Sequence, residues 1–278
     1  MVITTPPASR RDLVLEAIGR GVAVVADKPF APSAVAAAAL ASAADGAGVL
    51  LNVFHNRRDD TDIVTARAVI ESGELGRVGR LDLRADQDEP GSLEGGPDGG
   101  LLRDLGSHVV DQAIHLIGPA VRVTAHLDWV ERPAGRTDSA FVLTIEHESG
   151  AHSHVSATKL GGVDSRELRL FGERGSYRSD YSDVQVVSVR AGDRPEGRRL
   201  DWGYEAEARW GTLSTNGHSR AIPSLQGDYT NFYDRLAEAV VTGGPGPVPA
   251  AQGVEVLRVL DGARLSAAEH RTVTLSEL

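Results

Sequence analysis

Short apolar runs alternate with helix-like segments over the first 74 residues. Residues 22–26 and 49–54 are largely apolar, which is typical of parallel strands buried on both faces. A further short strand is predicted at 2–4. Helices are predicted at 9–20, 33–44 and 62–73. This alternation predicts a parallel sheet of the doubly wound type with helical crossovers.

From about residue 75 the pattern changes to an alternation of apolar and polar side chains. Residues 121–129 show it most clearly, and it predicts a strand with one buried face. Similar signals occur at 80–84, 140–146, 151–158, 167–171 and 183–189. These segments predict a meander of antiparallel strands. Further helices are predicted at 102–117, 229–242 and 251–268.

We therefore predict two units. Residues 1–74 form an α/β unit with a partial, doubly wound parallel sheet, and residues 75–278 form an α+β unit on an open antiparallel sheet. An open sheet has an apolar face to bury, so we expect a homo-oligomer that packs sheet on sheet. Two long stretches are irregular: 88–100 is acidic and rich in glycine, and 191–227 has almost no periodicity. They are either surface insertions or lids and binding loops.

Composition narrows the classes of function. The chain has 278 residues, 41% of them apolar and 24% charged, which is typical of a globular protein. The net charge of −10, with both signs mixed along the chain, argues against a nucleic-acid or anionic membrane surface. No apolar run approaches the roughly 20 residues that span a bilayer. Cysteine is absent, which excludes disulfides and thiolate sites. A cytoplasmic location is the default expectation.

The carboxyl ends of the predicted parallel strands are the first candidate site, because open α/β sheets bind ligands beyond these ends. The ends carry Thr5-Pro6, Asp27-Lys28 and Asn56-Arg57. Lys28 and Lys159 are the only lysines, against 27 arginines. Arginine does not replace a compact ammonium charge, so both lysines are of interest. Lys28 is either a ligand-facing cation or an ordinary surface lysine.

A polar stripe runs along the helix predicted at 102–117. Asp104 and His108 are four residues apart and share one face, and Asp111 and His115 extend the stripe. The stripe is either a chemical site or a solvated face, and helical periodicity alone favours the solvated face.

His152 and His154 lie on the same side of a predicted strand, where they are either metal ligands or ordinary residues. No carboxylate is placed locally to complete a metal set, so we predict no metal site. The chain also has no P-loop and no G-x-S-x-G motif.

Five motifs together resemble the Gfo/Idh/MocA family of NAD(P)-dependent sugar and polyol oxidoreductases, and the resemblance runs over the whole chain. They are Thr5-Pro6-Pro7, Asp27-Lys28-Pro29, Val53-Phe54-His55-Asn56-Arg57-Arg58, Asp104-Leu105-Gly106-Ser107-His108 and Gly227-Asp228-Tyr229. Several motifs in order are far more specific than any one. The resemblance implies a partial Rossmann-like dinucleotide-binding domain at 1–74, a substrate and oligomerisation domain at 75–278, and NAD or NADP as cofactor.

The resemblance also implies roles for single residues. Lys28, Asp104 and His108 would be the catalytic set and would contact the substrate together with Tyr229. His108 would accept the hydroxyl proton, Lys28 would stabilise the developing alkoxide, and Asp104 would orient the imidazole or hold a substrate hydroxyl. The cofactor-binding residues would be Thr5, Pro6, Asp27, Lys28 and Asn56. The implied reaction is hydride transfer between NAD(P) and a hydroxyl carbon of a sugar, polyol or related small molecule.

The family's glycine-rich turn has no counterpart, because the chain begins at what resembles the fourth strand of the family's sheet. This departure leads us to expect a misplaced start site. Arg10 also stands where the family often has histidine. Two other functions stay open. One is a cofactor-deficient binding or regulatory subunit that pairs with a complete paralogue, and the other is an NAD-assisted glycosidase.

Overall fold

The computed structural model describes residues 1–96, 99–180, 183–197 and 199–278. Its first sheet has three parallel strands in the order β1-β2-β3. The elements of this part are β1 (Val2–Ile3), α1 (Pro7–Gly19), β2 (Val24–Asp27), α2 (Ala34–Ala47), β3 (Leu51–Phe54) and α3 (Thr61–Glu71). The predicted parallel sheet with helical crossovers is confirmed.

Burial on both faces explains why β2 and β3 are largely apolar. Ala26 and Val53 are both 0% exposed. Asn52 is a polar residue within β3 and is also 0% exposed. Its side chain donates to the carbonyl oxygen of Pro245 at 3.1 Å and accepts from the backbone amide of Val248 at 2.9 Å. The polar side chain in this buried strand is therefore satisfied by a segment from the far end of the chain.

The second sheet has nine strands in the order β11-β10-β9-β8-β4-β7-β6-β5-β12. Its elements are β4 (Val78–Asp86), α4 (Leu101–Ile117), β5 (Ala120–Val130), β6 (Thr137–His147), β7 (His152–Thr158), β8 (Ser165–Gly172), β9 (Gly175–Ser179), α5 (Val184–Arg190), β10 (Gly211–Thr215), β11 (His218–Ile222), α6 (Thr230–Thr242), α7 (Ala250–Glu269) and β12 (Val273–Thr274). Neighbouring strands are antiparallel except β4 and β7, which are parallel. The predicted open antiparallel sheet is confirmed, but a simple meander is wrong at β4.

Helices of the same chain cover one face of the second sheet. α4 packs on β4, β6 and β7, and α7 packs on β5 and α2. Beneath them Leu81, Leu143 and Val155 are 0% exposed. α7 also reaches the first part of the chain, because Asp261 Oδ2 accepts a hydrogen bond from the backbone amide of Ala34 at 2.7 Å. The division at residue 74 stays a prediction. Within the described ranges, no helix is long and apolar enough to cross a membrane.

The other face of the second sheet is open and mainly polar. Thr144, His154, Asp82 and Arg169 form one row across its centre, on β6, β7, β4 and β8. Val142 is an apolar exception, with 54% of its surface exposed. Because helices already bury the apolar face, the expected sheet-on-sheet oligomer does not follow from an uncovered apolar face. The oligomer stays a prediction.

Residues 183–189 do not form the predicted strand. They belong to helix α5, and Asp183 caps it by accepting a hydrogen bond from the backbone amide of Val186 at 3.1 Å. This local cap accounts for a helix where a valine-rich segment suggested a strand, since β-propensity depends strongly on context. Val187 is 62% exposed, so the apolar alternation here does not mark a buried face.

The stretch 191–227 contains a hairpin that the periodicity did not predict. β10 pairs with β11 through Asn216 and Gly217, which have φ values of 52° and 77°. A two-residue turn of this kind needs both central residues in the left-handed region, and Asn-Gly is a preferred pair. The dipeptide was therefore the overlooked signal. Strands β9 and β12 were also not predicted. Positions 97, 98 and 198 of the two irregular stretches lie outside the described residues.

Arg10 ties together the ends of the first two strands. Its guanidinium donates to the carbonyl oxygens of Thr5, Asp27 and Pro29. The side chain is buried, with only 3% of the residue exposed. Histidine has too few ring donors to bind three carbonyls at once. Arg10 therefore fixes the sheet edge at which a ligand is expected.

Replacement of Arg10 by methionine is expected to lower the free energy of unfolding by about 2–4 kcal/mol, because three carbonyl groups lose a charged donor. Arg11→Met is the matched control, since Arg11 has an exposed ion pair with Asp12. Its effect should stay within about 0.5 kcal/mol. Urea unfolding followed by circular dichroism measures both variants. Equal losses would contradict the role assigned to Arg10.

Candidate active site

A cleft of about 350 Å³ opens at the carboxyl edge of the first sheet. Thr5, Pro6, Asp27 and Lys28 line it from the strand ends, and Asp104 lines it from α4. The structure thus brings four of the five predicted cofactor-binding residues into one cleft and adds a predicted catalytic residue opposite them. The carboxyl edge of the first sheet, which the topology predicted as a ligand site, is therefore concave.

The side chain of Thr5 presents an unsatisfied polar atom at this cleft. The hydroxyl oxygen of Thr5 is buried and makes no hydrogen bond to any residue that the structure describes. A buried polar group without a partner costs about 1–3 kcal/mol, so a ligand atom is its natural partner. Asn56, the fifth predicted cofactor residue, is half-buried and begins the short 3₁₀ helix Asn56–Asp59 after β3. It is not among the residues that line this cleft.

The carboxylate of Asp104 is shared by the only two lysines of the chain. Lys28 Nζ donates to Asp104 Oδ1 at 2.7 Å and to the Asp104 carbonyl oxygen at 3.0 Å. Lys159 Nζ donates to Asp104 Oδ2 at 2.8 Å. Burial works to raise the pKa of Asp104, but the Lys28 charge and the hydrogen bonds from both lysines lower it below its ordinary value. Asp104 is therefore ionised at neutral pH.

Three separate elements supply this lysine–aspartate–lysine cluster. Lys28 follows β2, Asp104 lies in the first turn of α4, and Lys159 follows β7. The exposed fractions of their side chains are 17%, 49% and 4%, respectively. Asp104 thus faces the cleft, while Lys159 supports it from the buried side. Lys159 was not among the predicted site residues, although the scarcity of lysine in the sequence had marked it.

Asp138 fixes the start of α4. Its Oδ2 accepts a hydrogen bond from the backbone amide of Leu102 at 2.6 Å. Gly100, just before the helix, has a φ of 101°, and a Cβ atom there would lie 2.1 Å from Asp138 Oδ1. Only glycine allows this close approach. The contact determines where Asp104 and His108 project from the helix.

His108 and Asp111 are buried, with 8% and 1% of their surfaces exposed, so the solvated-face interpretation of the α4 stripe is wrong for these two residues. Asp104, at the start of the same stripe, has an exposed side chain. Burial is the main cause that lowers the pKa of His108 well below 6.5, and the charges of Lys28 and Arg57 lower it further. The imidazole is therefore neutral at neutral pH. Its Nδ1 is buried and has no hydrogen-bond partner in the described part of the chain.

The strand end after β3 supports the helix face that carries His108. Arg58 binds both oxygens of Asp111 at 2.9 and 2.6 Å. His55 Nδ1 lies 3.9 Å from Asp111 Oδ2, and the His55 ring packs edge-on to His108 with 6.4 Å between centroids. Burial lowers the pKa of His55, so this ring is also neutral. The motif around Arg58 therefore acts by packing and charge pairing beneath α4.

Tyr229 lies in a second polar network. Its hydroxyl donates to Asp60 Oδ1 at 2.5 Å. Arg57 and Arg166 both bind Asp183 Oδ2, at 2.5 and 2.8 Å. Arg57, Arg166 and Asp183 line a cavity of about 530 Å³. The two arginines are among the charges that lower the pKa of His108, which links this network to α4. The predicted contact of Tyr229 with substrate stays a prediction.

The two histidines of β7 lie elsewhere. His152 and His154 are exposed on the open sheet face, and His154 Nδ1 is 3.3 Å from the Thr144 hydroxyl. In the described ranges, no group of three or more His, Asp or Glu side chains is arranged to hold a metal ion.

Comparison with known proteins supports the family that the sequence resembles. Residues 63–178 match the GFO/IDH/MocA C-terminal domain. The chain is 31% identical to scyllo-inositol 2-dehydrogenase (NADP(+)) IolW of Bacillus subtilis, over 99% of this chain and 78% of that protein. It is 28% identical to D-apiose dehydrogenase of Rhizobium rhizogenes, over 99% of this chain and 79% of that protein.

The solved structure of yvaA from Bacillus subtilis is similar in fold and sequence. It matches 98% of this chain and 79% of its own, with a TM-score of 0.89 and 31% identity. The likeness therefore extends over both sheets and over the cleft between β2 and α4. The chain belongs to the Gfo/Idh/MocA family of NAD(P)-dependent oxidoreductases.

Proposed function

We propose that the protein transfers a hydride between NAD(P) and a hydroxyl carbon of a sugar or polyol, with Lys28, Asp104 and His108 in contact with the substrate. The observation that carries this proposal is the ion pair of Lys28 with the ionised Asp104 at one sheet edge. The neutral imidazole of His108 follows one turn later on α4, close enough to Lys28 for that charge to lower its pKa. The relatives named for scyllo-inositol and D-apiose support a polyol or sugar as substrate.

The three side chains have complementary tasks in oxidation. His108, which is neutral, accepts the hydroxyl proton of the substrate. Lys28 donates a hydrogen bond to the same oxygen and stabilises the negative charge that develops as the proton leaves. Asp104 accepts a hydrogen bond from a neighbouring substrate hydroxyl while it holds Lys28 in place. In the reductive direction His108 returns the proton.

The cleft fits the nicotinamide end of the cofactor. NAD(P)⁺, when bound, supplies the acceptor for the hydride. Thr5, Pro6, Asp27 and Lys28 would hold this end, because they line the cleft and the Thr5 hydroxyl has no partner among the described residues. No glycine-rich turn follows β1, β2 or β3 in the described residues, so we assign residues to this end only. A homo-oligomer through the second sheet and a cytoplasmic location are further predictions.

The proposed function is tested by following formation of the reduced cofactor with NAD⁺ or NADP⁺ and scyllo-inositol or D-apiose. His108→Ala should lower kcat by about 10²–10⁴-fold, the usual contribution of a general base. His154→Ala is the matched control, because this histidine lies on the open sheet face, and its kcat should not change. Near-normal turnover by His108→Ala would contradict the assignment.

The same assay separates the two alternatives. Release of sugar from a glycoside without net formation of reduced cofactor would instead support an NAD-assisted glycosidase. A folded protein that binds neither reduced cofactor would support a binding or regulatory subunit.

The pH dependence follows from the lowered pKa of His108. A base must be deprotonated to act, so kcat/KM for oxidation rises with pH through the pKa of His108 and is level above it. Since that pKa lies well below 6.5, we expect the acid limb below pH 6.5. Asp59 titrates in the same pH range, because burial raises its pKa to about 6 although the charge of Arg235 lowers it. The acid limb of the kcat/KM profile should therefore persist in the Asp59→Asn variant. Loss of this limb in Asp59→Asn would contradict its assignment to His108.

Thr5→Val tests the cofactor contact. Valine has nearly the same shape as threonine but removes the hydroxyl, for which the described part of the chain offers no partner. If this hydroxyl binds the cofactor, the Kd for NADH or NADPH in a fluorescence titration should rise about tenfold, the equivalent of one hydrogen bond. Thr144→Val is the control, because Thr144 lies on the open face of the second sheet and does not line the cleft. An unchanged Kd for Thr5→Val would contradict the contact.

A further inference from the structure

Lys159 is an unusual residue to bury. Only 3% of it is exposed, and its ammonium lies 2.8 Å from Asp104 Oδ2. Removal of an ammonium from water costs several kcal/mol unless a well-placed anion compensates. An apolar residue would fill this position at the end of β7 without that cost. The lysine is therefore better explained by what it does to Asp104 than by what it adds to the fold.

The choice of lysine instead of arginine has a geometric reason. Arginine binds both oxygens of a carboxylate through its planar fork, whereas lysine presents a single compact charge. Lys159 occupies only Oδ2, and Oδ1 remains for Lys28 at 2.7 Å. An arginine at 159 would compete with Lys28 for the second oxygen. In a chain with 27 arginines and two lysines, both lysines meet at one carboxylate.

The second ammonium also changes the charge of the site. Lys28 and Asp104 alone form a neutral pair, so an oxygen that gains negative charge beside Lys28 is also repelled by Asp104. With Lys159 the cluster carries one net positive charge. A fixed positive charge near a developing oxyanion lowers the energy of the transition state more than that of the neutral substrate.

We propose that Lys159 is a positioning residue for hydride transfer. It holds Asp104 by Oδ2 from the buried side, keeps Oδ1 free for Lys28, and gives the cluster the net positive charge that favours the alkoxide. This inference rests on the proposed function, because it assigns Lys159 a part in the same reaction.

Steady-state kinetics tests the proposal, with whichever of scyllo-inositol and D-apiose the assay described above shows to be a substrate. Lys159→Met should lower kcat about 10- to 100-fold, while KM changes less than about threefold. Lys159→Arg should not restore kcat, although it restores the charge. Arg20→Met, which removes an exposed cation paired with Glu16, is the control and should leave kcat unchanged. A kcat for Lys159→Met within about twofold of wild type would overturn the proposal.

A double-mutant cycle with Asp104 separates positioning from a general structural effect. If Lys159 acts through Asp104, the loss in Asp104→Asn/Lys159→Met should be well below the product of the two single losses. Losses that multiply would show that Lys159 acts independently of Asp104 and would overturn the proposal.

A measurement without turnover keeps the proposal testable if Lys159→Met does not fold. Because the chain has two lysines, protein labelled with ¹³Cε-lysine gives two side-chain NMR signals. Asp104→Asn should shift both signals. A shift of only one signal would contradict the claim that both lysines bind the Asp104 carboxylate. If the wild-type protein is active but the Lys159 signal does not shift in Asp104→Asn, this inference is refuted and the proposed function is not. If both signals shift but the wild-type protein does not reduce NAD(P)⁺ with any substrate tried, the proposed function is refuted. The role of Lys159 in the reaction is then refuted with it, although the cluster exists.

Discussion

The shared carboxylate of Asp104 connects three parts of the molecule beside the cleft. Lys28 comes from the edge of the first sheet, Asp104 from α4, and Lys159 from the end of β7 in the second sheet. Two largely buried ammonium groups depend on one anion, so none of the three can move without leaving a charge unpaired. Arg10 anchors the end of β2, which carries Lys28, and Asp138 anchors the start of α4, which carries Asp104. These contacts fix the geometry of the cluster from two sides.

One set of cations accounts for two requirements of hydride transfer that otherwise conflict. The base must be neutral before the reaction, and the oxygen that loses its proton must be stabilised as an anion. The Lys28 charge, together with burial, lowers the pKa of His108 and so keeps the imidazole unprotonated. The same charge favours the alkoxide. The lowered pKa makes His108 a weaker base, and the positive field of the cluster compensates by stabilising the product of proton removal.

The amino-acid pattern predicted those parts of the fold in which burial is uniform along an element. Strands β2 and β3 are enclosed on both faces and are almost wholly apolar, so their type and the position of Lys28 could be predicted. The stripe on α4 could not be resolved in this way. His108 and Asp111 have the spacing of a solvated face. Asp111 can nevertheless be buried because Arg58 comes from a distant part of the chain to pair with it, and His108 can be buried because its imidazole is neutral. Periodicity contains no information about such partners.

Local hydrogen bonds explain the errors elsewhere. The cap from Asp183 favours α5 over the predicted strand, and the left-handed conformation of Asn216 and Gly217 produces a hairpin without apolar alternation. The family resemblance identified Lys28, Asp104 and His108, whose roles in the reaction stay predictions. It did not identify Lys159, which composition alone had marked. The second ammonium at Asp104 depends on the tertiary packing that brings the end of β7 beside α4, which the sequence pattern does not contain.

Direct transfer of hydrogen from a substrate carbon to the nicotinamide is the central claim. The most direct measurement is mass spectrometry of the reduced cofactor after the purified protein has reacted with NAD⁺ or NADP⁺ and with polyols or sugars deuterated at their hydroxyl-bearing carbons. We expect a single deuterium in each reduced nicotinamide. A folded protein that binds the reduced cofactor but yields no deuterated cofactor from any of these compounds would contradict the claim.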